Sequence, residues 1–384
     1  MKLSLLISYS KIKILNVLSH ALVGGFSTNA LEKTTRSIIQ SYHQFDKEIE
    51  EIYKIHPAIV ENYKFPYHYP HQFIREKAID SIYVFRLKSA VLSAFTGAIW
   101  TKNKIIFQES VGSLRKMYLW NDIKPHLNLK VHQFPNPENY KVFYLPHKSF
   151  FHFILEEIPA LLNAMKVYED LKILVPKIYL KGYYKEVLYL LLGNDAEDRI
   201  IPIDLLNYEI NNLVFTSKPN YSGYVNTVDL DLLNRNFTIT NNDESPSYIY
   251  ISRKYAKLRQ IGNELELEQY LHKYGFKTVY LENLTFQKQL NLVANAQVIV
   301  APHGAGLSHL VWGNKKKTVI EIFPSNIFND CYARLCMKKS YDYHYTYCIN
   351  VNQQEYFPID TIKNLIEKQL VNDKTNFTQN SLSE

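Results

Sequence analysis

The sequence predicts an α/β protein whose C-terminal half is built on a parallel sheet, and three observations point to it. From Ser247 onward, short β-forming runs alternate with stretches of helical periodicity. The runs SYIYIS, QVIVA and TVIEIF are apolar at nearly every position, the pattern of strands covered by helices on both faces. One of them, VIVAPHGAGLSHLVW from Val298 to Trp312, places two of the chain's 12 glycines beside a histidine at a strand end.

A chain of 384 residues is long for one core, so two domains are expected, meeting near Lys218–Asn226. The net charge of +7 is dispersed and includes no run of five basic residues, which excludes a nucleic-acid partner and suits an anionic substrate. Cys331, Cys336 and Cys348 form no CxxC pair and leave an odd count. That pattern fits a reducing compartment better than a disulfide framework or a zinc knuckle. LSLLIS near the N-terminus is too short for a membrane span and lacks a clean cleavage site, so a cytoplasmic chain with at most peripheral membrane contact is expected.

Along the first half, residues 30–55 have helical composition and PYHYPHQF is an aromatic loop. SIYVFRL, GAIWTKNKIIFQ and KVFYL are strand-like, and SFFHFILEEIPALLNAM repeats apolar residues at three and four, a helix signal. KILVPKIYL and NNLVFTS are strands with a helical stretch between them. In the second half, helix NELELEQYLHKY starts at Asn263, read as an N-cap with Glu266 as its capping-box partner, and closes at Gly275. KTVYL, TFQKQLNLVAN, QVIVA, the HGAG turn with its helix, TVIEIF, NDCYARLCMKK, YDYHYTYCI and IDTIKNLIEKQL continue the alternation.

Ligands of open parallel sheets bind beyond the carboxyl ends of the strands. Arg253 follows YIYIS, His303-Gly304-Ala305-Gly306 follows VIVAP, and Glu321 lies in TVIEIF. Glycines let backbone amides approach a phosphate, a helix beginning there adds positive potential, and Arg253 and His303 donate charge-assisted hydrogen bonds. Glu321, seventeen residues after Gly304, is placed to accept ribose hydroxyls. Together these residues describe a nucleotide site. There is no G-x-S-x-G elbow and no P-loop, and His309 stands where a third dinucleotide-motif glycine belongs. The acidic pair Asp229-Leu230-Asp231 reads as a helix start, so no metal site is expected.

The runs YISRKYAKLRQIGNELELEQYLHKYGF, ENLTFQKQLNLVANAQVIVAPHGAGLSHLVW and VIEIFP, with GAIWTKNKIIFQES and FFHFILEEIPALL upstream, resemble the signatures of glycosyltransferase family 61. The resemblance spans Ile82 to Pro324 and departs from the family at Phe153, where tryptophan is usual, and at Ala160, where arginine is common. It implies a GT-B-like architecture of two Rossmann-like domains facing across a cleft. Residues 1–220 would form the acceptor-side domain and residues 221–384 the nucleotide-sugar domain. It further implies inverting transfer from a nucleotide sugar, UDP-linked by family precedent, to a glycan or lipid-linked glycan hydroxyl, with no cofactor. The enzyme would be a hexosyl-, N-acetylhexosaminyl- or pentosyltransferase of surface polysaccharide synthesis, capsule or lipopolysaccharide, acting in the cytoplasm or on the inner membrane face. Arg253, His303, Gly304 and Gly306 would hold the pyrophosphate and Glu321 the ribose.

Such a transfer needs a base for the acceptor hydroxyl. His152 and Glu156, four apart on a predicted helix, share one face and offer an imidazole oriented by a carboxylate; the same pair would equally serve to fix the helix. Two other classes compete: a nucleotide-sugar- or glycan-binding protein without transferase activity, and a nicotinamide oxidoreductase.

Overall fold

The computed structural model describes residues 39–41, 43, 47–66, 69–70, 72–111, 126–136, 138–146, 149–217, 223, 225–240, 245–255 and 261–368. The apolar N-terminal segment, the start of the helix expected over residues 30–55 and most of Lys218–Asn226 lie outside them. The chain forms two compact units, one of residues 1–61 with 78–224, the other of residues 62–77 with 225–384. The 1–220 partition therefore does not hold for residues 62–77, which the chain contributes to its second unit from within its first half.

The first unit is organised by a ten-stranded mixed sheet. Its core runs β1 (Ile82–Ser93), β5 (Asn207–Thr216), β2 (Val142–Tyr144), β3 (Lys172–Pro176) and β4 (Ile200–Ile203). Strands β5, β2, β3 and β4 are parallel, whereas β1 pairs antiparallel with β5 from Asn207–Ser93 to Thr216–Val84. The hairpin Ile99–Trp100 and Ile106–Phe107 extends the antiparallel side. Half of this sheet is thus antiparallel, unlike the Rossmann-like sheet expected for it. Ile49–His56 is a strand and not a helix: it pairs antiparallel with β1, and Arg86 bridges to Glu50 at 2.6 Å and to Glu51. Ladder and cross-strand charge pairs override the helical leaning of IEEIYKIH.

The helical run after Ser149 is not uniform. Phe150–His152 is α-helical, Phe153–Glu157 is a π-helical turn, and α1 (Ile158–Val167) completes it. Phe153 is fully buried and stacks on Tyr184, with ring centres 4.1 Å apart. Ala160 is buried, and its carbonyl accepts from Thr216 Oγ1 of β5 at 2.7 Å.

The second unit is a five-stranded, all-parallel sheet of β6 (Tyr248–Ile251), β7 (Lys277–Val279), β8 (Val298–Pro302), β9 (Thr318–Phe323) and β10 (Asp342–Tyr347). Its spatial order is β7-β6-β8-β9-β10. The order reverses direction between β6 and β8, the topological switch point of a doubly wound sheet. One face packs on α2 (Glu264–Lys273) and on residues 359–368 through Leu267, Leu271, Ile362 and Ile366. Gly275, at φ +80°, ends α2 in a Schellman turn, with Phe276 N donating to Leu271 O. Asn263 does not cap this helix: its amide exchanges two hydrogen bonds with the Phe357 backbone. Thr285 does cap α3 (Phe286–Asn295), accepting from Lys288 N.

Residues 62–77 are held in the second unit by burial of Tyr63, Phe65, Tyr69 and Phe73. Tyr69 OH donates to Tyr343 O at 2.5 Å, Phe73 packs on Phe328 and Tyr345, and Ile74 N donates to Asp330 at 2.8 Å. Asp330 is itself paired with buried Arg334 on α4 (Cys331–Lys338). The three cysteines are buried and free. Among the described residues no helix is long and apolar enough to cross a membrane.

Beneath the HGAG turn, fully buried His309 accepts from Trp312 Nε1 on its Nδ1 at 3.0 Å and meets Gln289 Oε1 through Nε2 at 2.8 Å. Burial lowers its pKa from an ordinary 6.5 to about 3, so the ring is neutral and Nε2 carries the proton. Between those two pH values the unfolded chain binds a proton that the folded chain refuses, so stability present above pH 6.5 falls as the medium is acidified. The loss at low pH from this residue alone is on the order of 4 kcal/mol. In urea unfolding followed from pH 7 to pH 4, His309→Gln, which has no titrating ring, should show a shallower decline than the parent.

Candidate active site

The carboxyl ends of β6, β8 and β9 bring Arg253, the His303–Gly306 turn and Glu321 together in the second unit. Alternation along β9 turns Ile320 and Ile322 into the α2-side core and Glu321 to the opposite face. There Glu321 is fully buried. Its Oε1 lies 2.5 Å from His303 Nδ1, and its Oε2 accepts from Tyr343 OH at 2.6 Å. Burial and the neighbouring carboxylate push the Tyr343 phenol well above its usual range, so it keeps its proton and remains a donor. Phe323 stacks on the imidazole at 5.3 Å and Tyr332 lies against it at 5.4 Å. The ring is thereby fixed, with Nε2 as its remaining polar atom. A carboxylate with no exposure and both oxygens engaged by protein donors does not reach a ribose. Glu321 orients His303, and the ribose contact expected from the sequence is not supported.

Arg253 stands at the switch point. Its Nη1 donates to His303 O at 3.3 Å. A Cβ on Gly304 would overlap Nη1, so the absence of a side chain there is what lets the guanidinium lie over the turn. Gly304 is extended (φ 175°), so its requirement is space and not a left-handed backbone. Gly306 likewise leaves room for Leu281 and Ile251, whose atoms would sit 3.0 and 3.3 Å from a Cβ. Ala305 is exposed and opens a seven-residue 3-10 run, Ala305–Val311. An α-helix was expected here. The short 3-10 run supplies little axial dipole, so positive potential at the turn comes from the Arg253 guanidinium.

Glu264 is the residue that sequence reasoning undervalued. One oxygen, Oε1, accepts from Tyr250 OH at 2.8 Å, Ser252 Oγ at 2.8 Å and Arg253 N at 2.9 Å. It clamps the chain at the exit of β6 and so sets where the Arg253 side chain starts. It is the first residue of α2, and only the fold shows that this helix abuts the end of β6.

In the first unit, His152 Nδ1 and Glu156 Oε1 are 2.9 Å apart, with side chains 37% and 19% exposed. Glu156 Oε1 also accepts from Gly223 N at 2.7 Å. The pair sits where α-helix passes into the π-helical turn, a local distortion often found at functional positions. Asp229 lies in the first turn of the helix Thr227–Asn236, its N–H bonded to Asn226 Oδ1. Among the described residues no group of three or more His, Cys, Asp or Glu is placed to hold a metal ion.

Residues 150–320 match the family model of glycosyltransferase 61. The matched span contains His152, Glu156, Arg253, Glu264 and the His303–Gly306 turn, and Glu321 follows it directly. The chain is also 34% identical over 97 residues to the EGF domain-specific O-linked N-acetylglucosamine transferase of Drosophila melanogaster. That similarity covers 24% of this chain and 18% of the relative.

Gly304→Ala should displace the Arg253 guanidinium without unfolding the domain, because the clash falls on the mobile end of a side chain. Pyrophosphate affinity measured calorimetrically should fall about tenfold, which is ~1.4 kcal/mol. In an Arg253→Ala background the same substitution should cost almost nothing further, a coupling read from the double-mutant cycle.

Proposed function

We propose that this protein is an inverting glycosyltransferase that moves a sugar from a UDP-linked donor to a glycan hydroxyl. The second unit would bind the nucleotide sugar and the first would act on the acceptor. The observation that carries this reading is the convergence of Arg253 and the Glu321-held His303 on the glycine turn at the switch point of a parallel sheet, within a matched glycosyltransferase 61 domain. The N-acetylglucosamine transfer of the Drosophila relative favours an N-acetylhexosamine among the possible sugars; hexosyl and pentosyl transfer belong to the same proposal. The acceptor assigned to it is a surface-polysaccharide precursor, free or lipid-linked, with action at the cytoplasmic side of a membrane. No cofactor is part of this proposal.

In this mechanism the acceptor oxygen attacks the anomeric carbon as the bond from that carbon to the diphosphate oxygen breaks. The hydroxyl proton passes to His152 Nε2, since Nδ1 faces Glu156, and the carboxylate balances the imidazolium that forms. The electron pair of the broken bond leaves with the nucleoside diphosphate. Its added charge is stabilised by the Arg253 guanidinium and, in the imidazolium form, by His303 Nε2. Preorganised donors of this kind are worth ~3–4 kcal/mol each in comparable sites. The buried Glu321 behind His303 keeps that ring from turning away.

A thermal-shift comparison of UDP, GDP, CMP and NAD on the full chain tests the donor. UDP should stabilise most. Stabilisation by NAD alone would instead favour the oxidoreductase class. His152→Ala should keep the UDP-induced shift and lose transfer by 100-fold or more, the scale of a general base. An insoluble or unfolded variant would assign the pair to helix structure, and failure of the parent chain to hydrolyse or transfer any UDP-sugar would leave a binding protein.

A further inference from the structure

We infer that Tyr255 and Tyr280 form the platform on which the nucleobase of the bound nucleotide stacks. This inference rests on the nucleotide reading of the second unit and adds the direction in which the nucleotide lies. The two rings sit at neighbouring strand exits. β6 and β7 run parallel with Ile251 paired to Val279, and Tyr280 directly follows β7 while Tyr255 comes two residues after Arg253. Their centroids are 5.1 Å apart at an interplanar angle of 62°. Tyr280 OH also reaches Glu268 Oε1 at 3.4 Å, which ties that ring to α2.

The pair is continuous with the phosphate turn. Leu281, adjacent to Tyr280, occupies the space that Gly306 leaves open, so the segment carrying Tyr280 packs directly on the HGAG turn. A diphosphate held by Arg253 and His303 between β6 and β8 therefore has this aromatic pair on its β7 side. On the β9 side the rings are already used by the protein. Phe323 is fully buried under His303, and Tyr347 packs on Phe323 and Tyr345 while its hydroxyl accepts from Gln72. Tyr255, by contrast, is 56% exposed. A large aromatic side chain left open to water, beside a cationic phosphate site, is what a heterocycle with two π faces recognises. The base lies over the β6–β7 edge, and the sugar end of the donor extends toward β9.

The test separates base from phosphate. Calorimetric titrations of the full chain would use inorganic pyrophosphate and UDP, or whichever of GDP and CMP gives the larger thermal shift. They would compare the parent, Tyr255→Ala, Tyr255→Phe, Tyr347→Ala and Arg253→Ala. Tyr255→Ala should weaken the nucleotide about tenfold, the scale of one base stacked on one ring, and leave pyrophosphate affinity unchanged. Tyr255→Phe should retain nucleotide affinity, because the ring and not the hydroxyl makes the stack. The inference is overturned if Tyr255→Ala leaves nucleotide affinity intact, if it weakens pyrophosphate equally, or if the selective loss appears in Tyr347→Ala. Should the parent bind neither ligand, or Arg253→Ala leave both affinities unchanged, the nucleotide reading of the unit fails first and the platform falls with it. Tyr255 lies at the surface, so unfolding is not expected to obscure the readout; circular dichroism melts of each variant check this.

Discussion

A carboxylate in the middle of a parallel sheet has to be neutralised or paired, and Glu321 is paired on both oxygens. Removing one partner from a buried pair of this kind typically costs ~3–5 kcal/mol, so His303 and Tyr343 are bound to it as firmly as core side chains are to each other. The rest of the proposed phosphate site follows from that constraint. The contact with buried Glu321 selects the imidazole's orientation, and the bond from His303 N to Ile322 O holds the backbone whose carbonyl receives Arg253. From the other side, Glu264 sets the backbone from which Arg253 departs. Two acids, the buried Glu321 and the half-buried Glu264, thus place an imidazole and a guanidinium at the switch point.

Much of the second unit was legible in the sequence because its strands are apolar on both faces and its helices keep a 3.6 period. The parallel order could be expected from alternation alone, and the strand-end positions of Arg253 and His303 followed. What was not legible depends on contacts between distant segments. Glu321 was read as a ribose ligand because a linear motif cannot show that alternation points it inward, against Tyr343 on the next strand. For the same reason the sequence does not show that Glu264 meets the end of β6. The HGAG segment was expected to open an α-helix, yet Asn234 Nδ2 bonds the Val311 carbonyl and Trp312 folds back on His309, which suits a short 3-10 run.

In the first unit, the departures from the family pattern at Phe153 and Ala160 are packing choices. Phe153 fills its place against Tyr184 with no exposure, and Ala160 sits under β5 with its carbonyl bonded to Thr216. His152 and Glu156 keep their contact beside both substitutions. The mixed sheet and the Ile49–His56 strand were hidden because amphipathic segments with Glu and Lys satisfy helix propensity locally, while the ladder partner lies over thirty residues away.

The second unit is discontinuous in the chain: residues 62–77 supply Tyr69 and Phe73 beside β10 and the backbone donor for Asp330. A polypeptide beginning at Val225 would consequently present bare aromatic rings at Phe328 and Tyr345 and one acidic oxygen stripped of its amide. During synthesis, that early stretch emerges long before the sheet it completes. The C-terminal sheet is therefore finished by a stretch of chain made before any of its own strands.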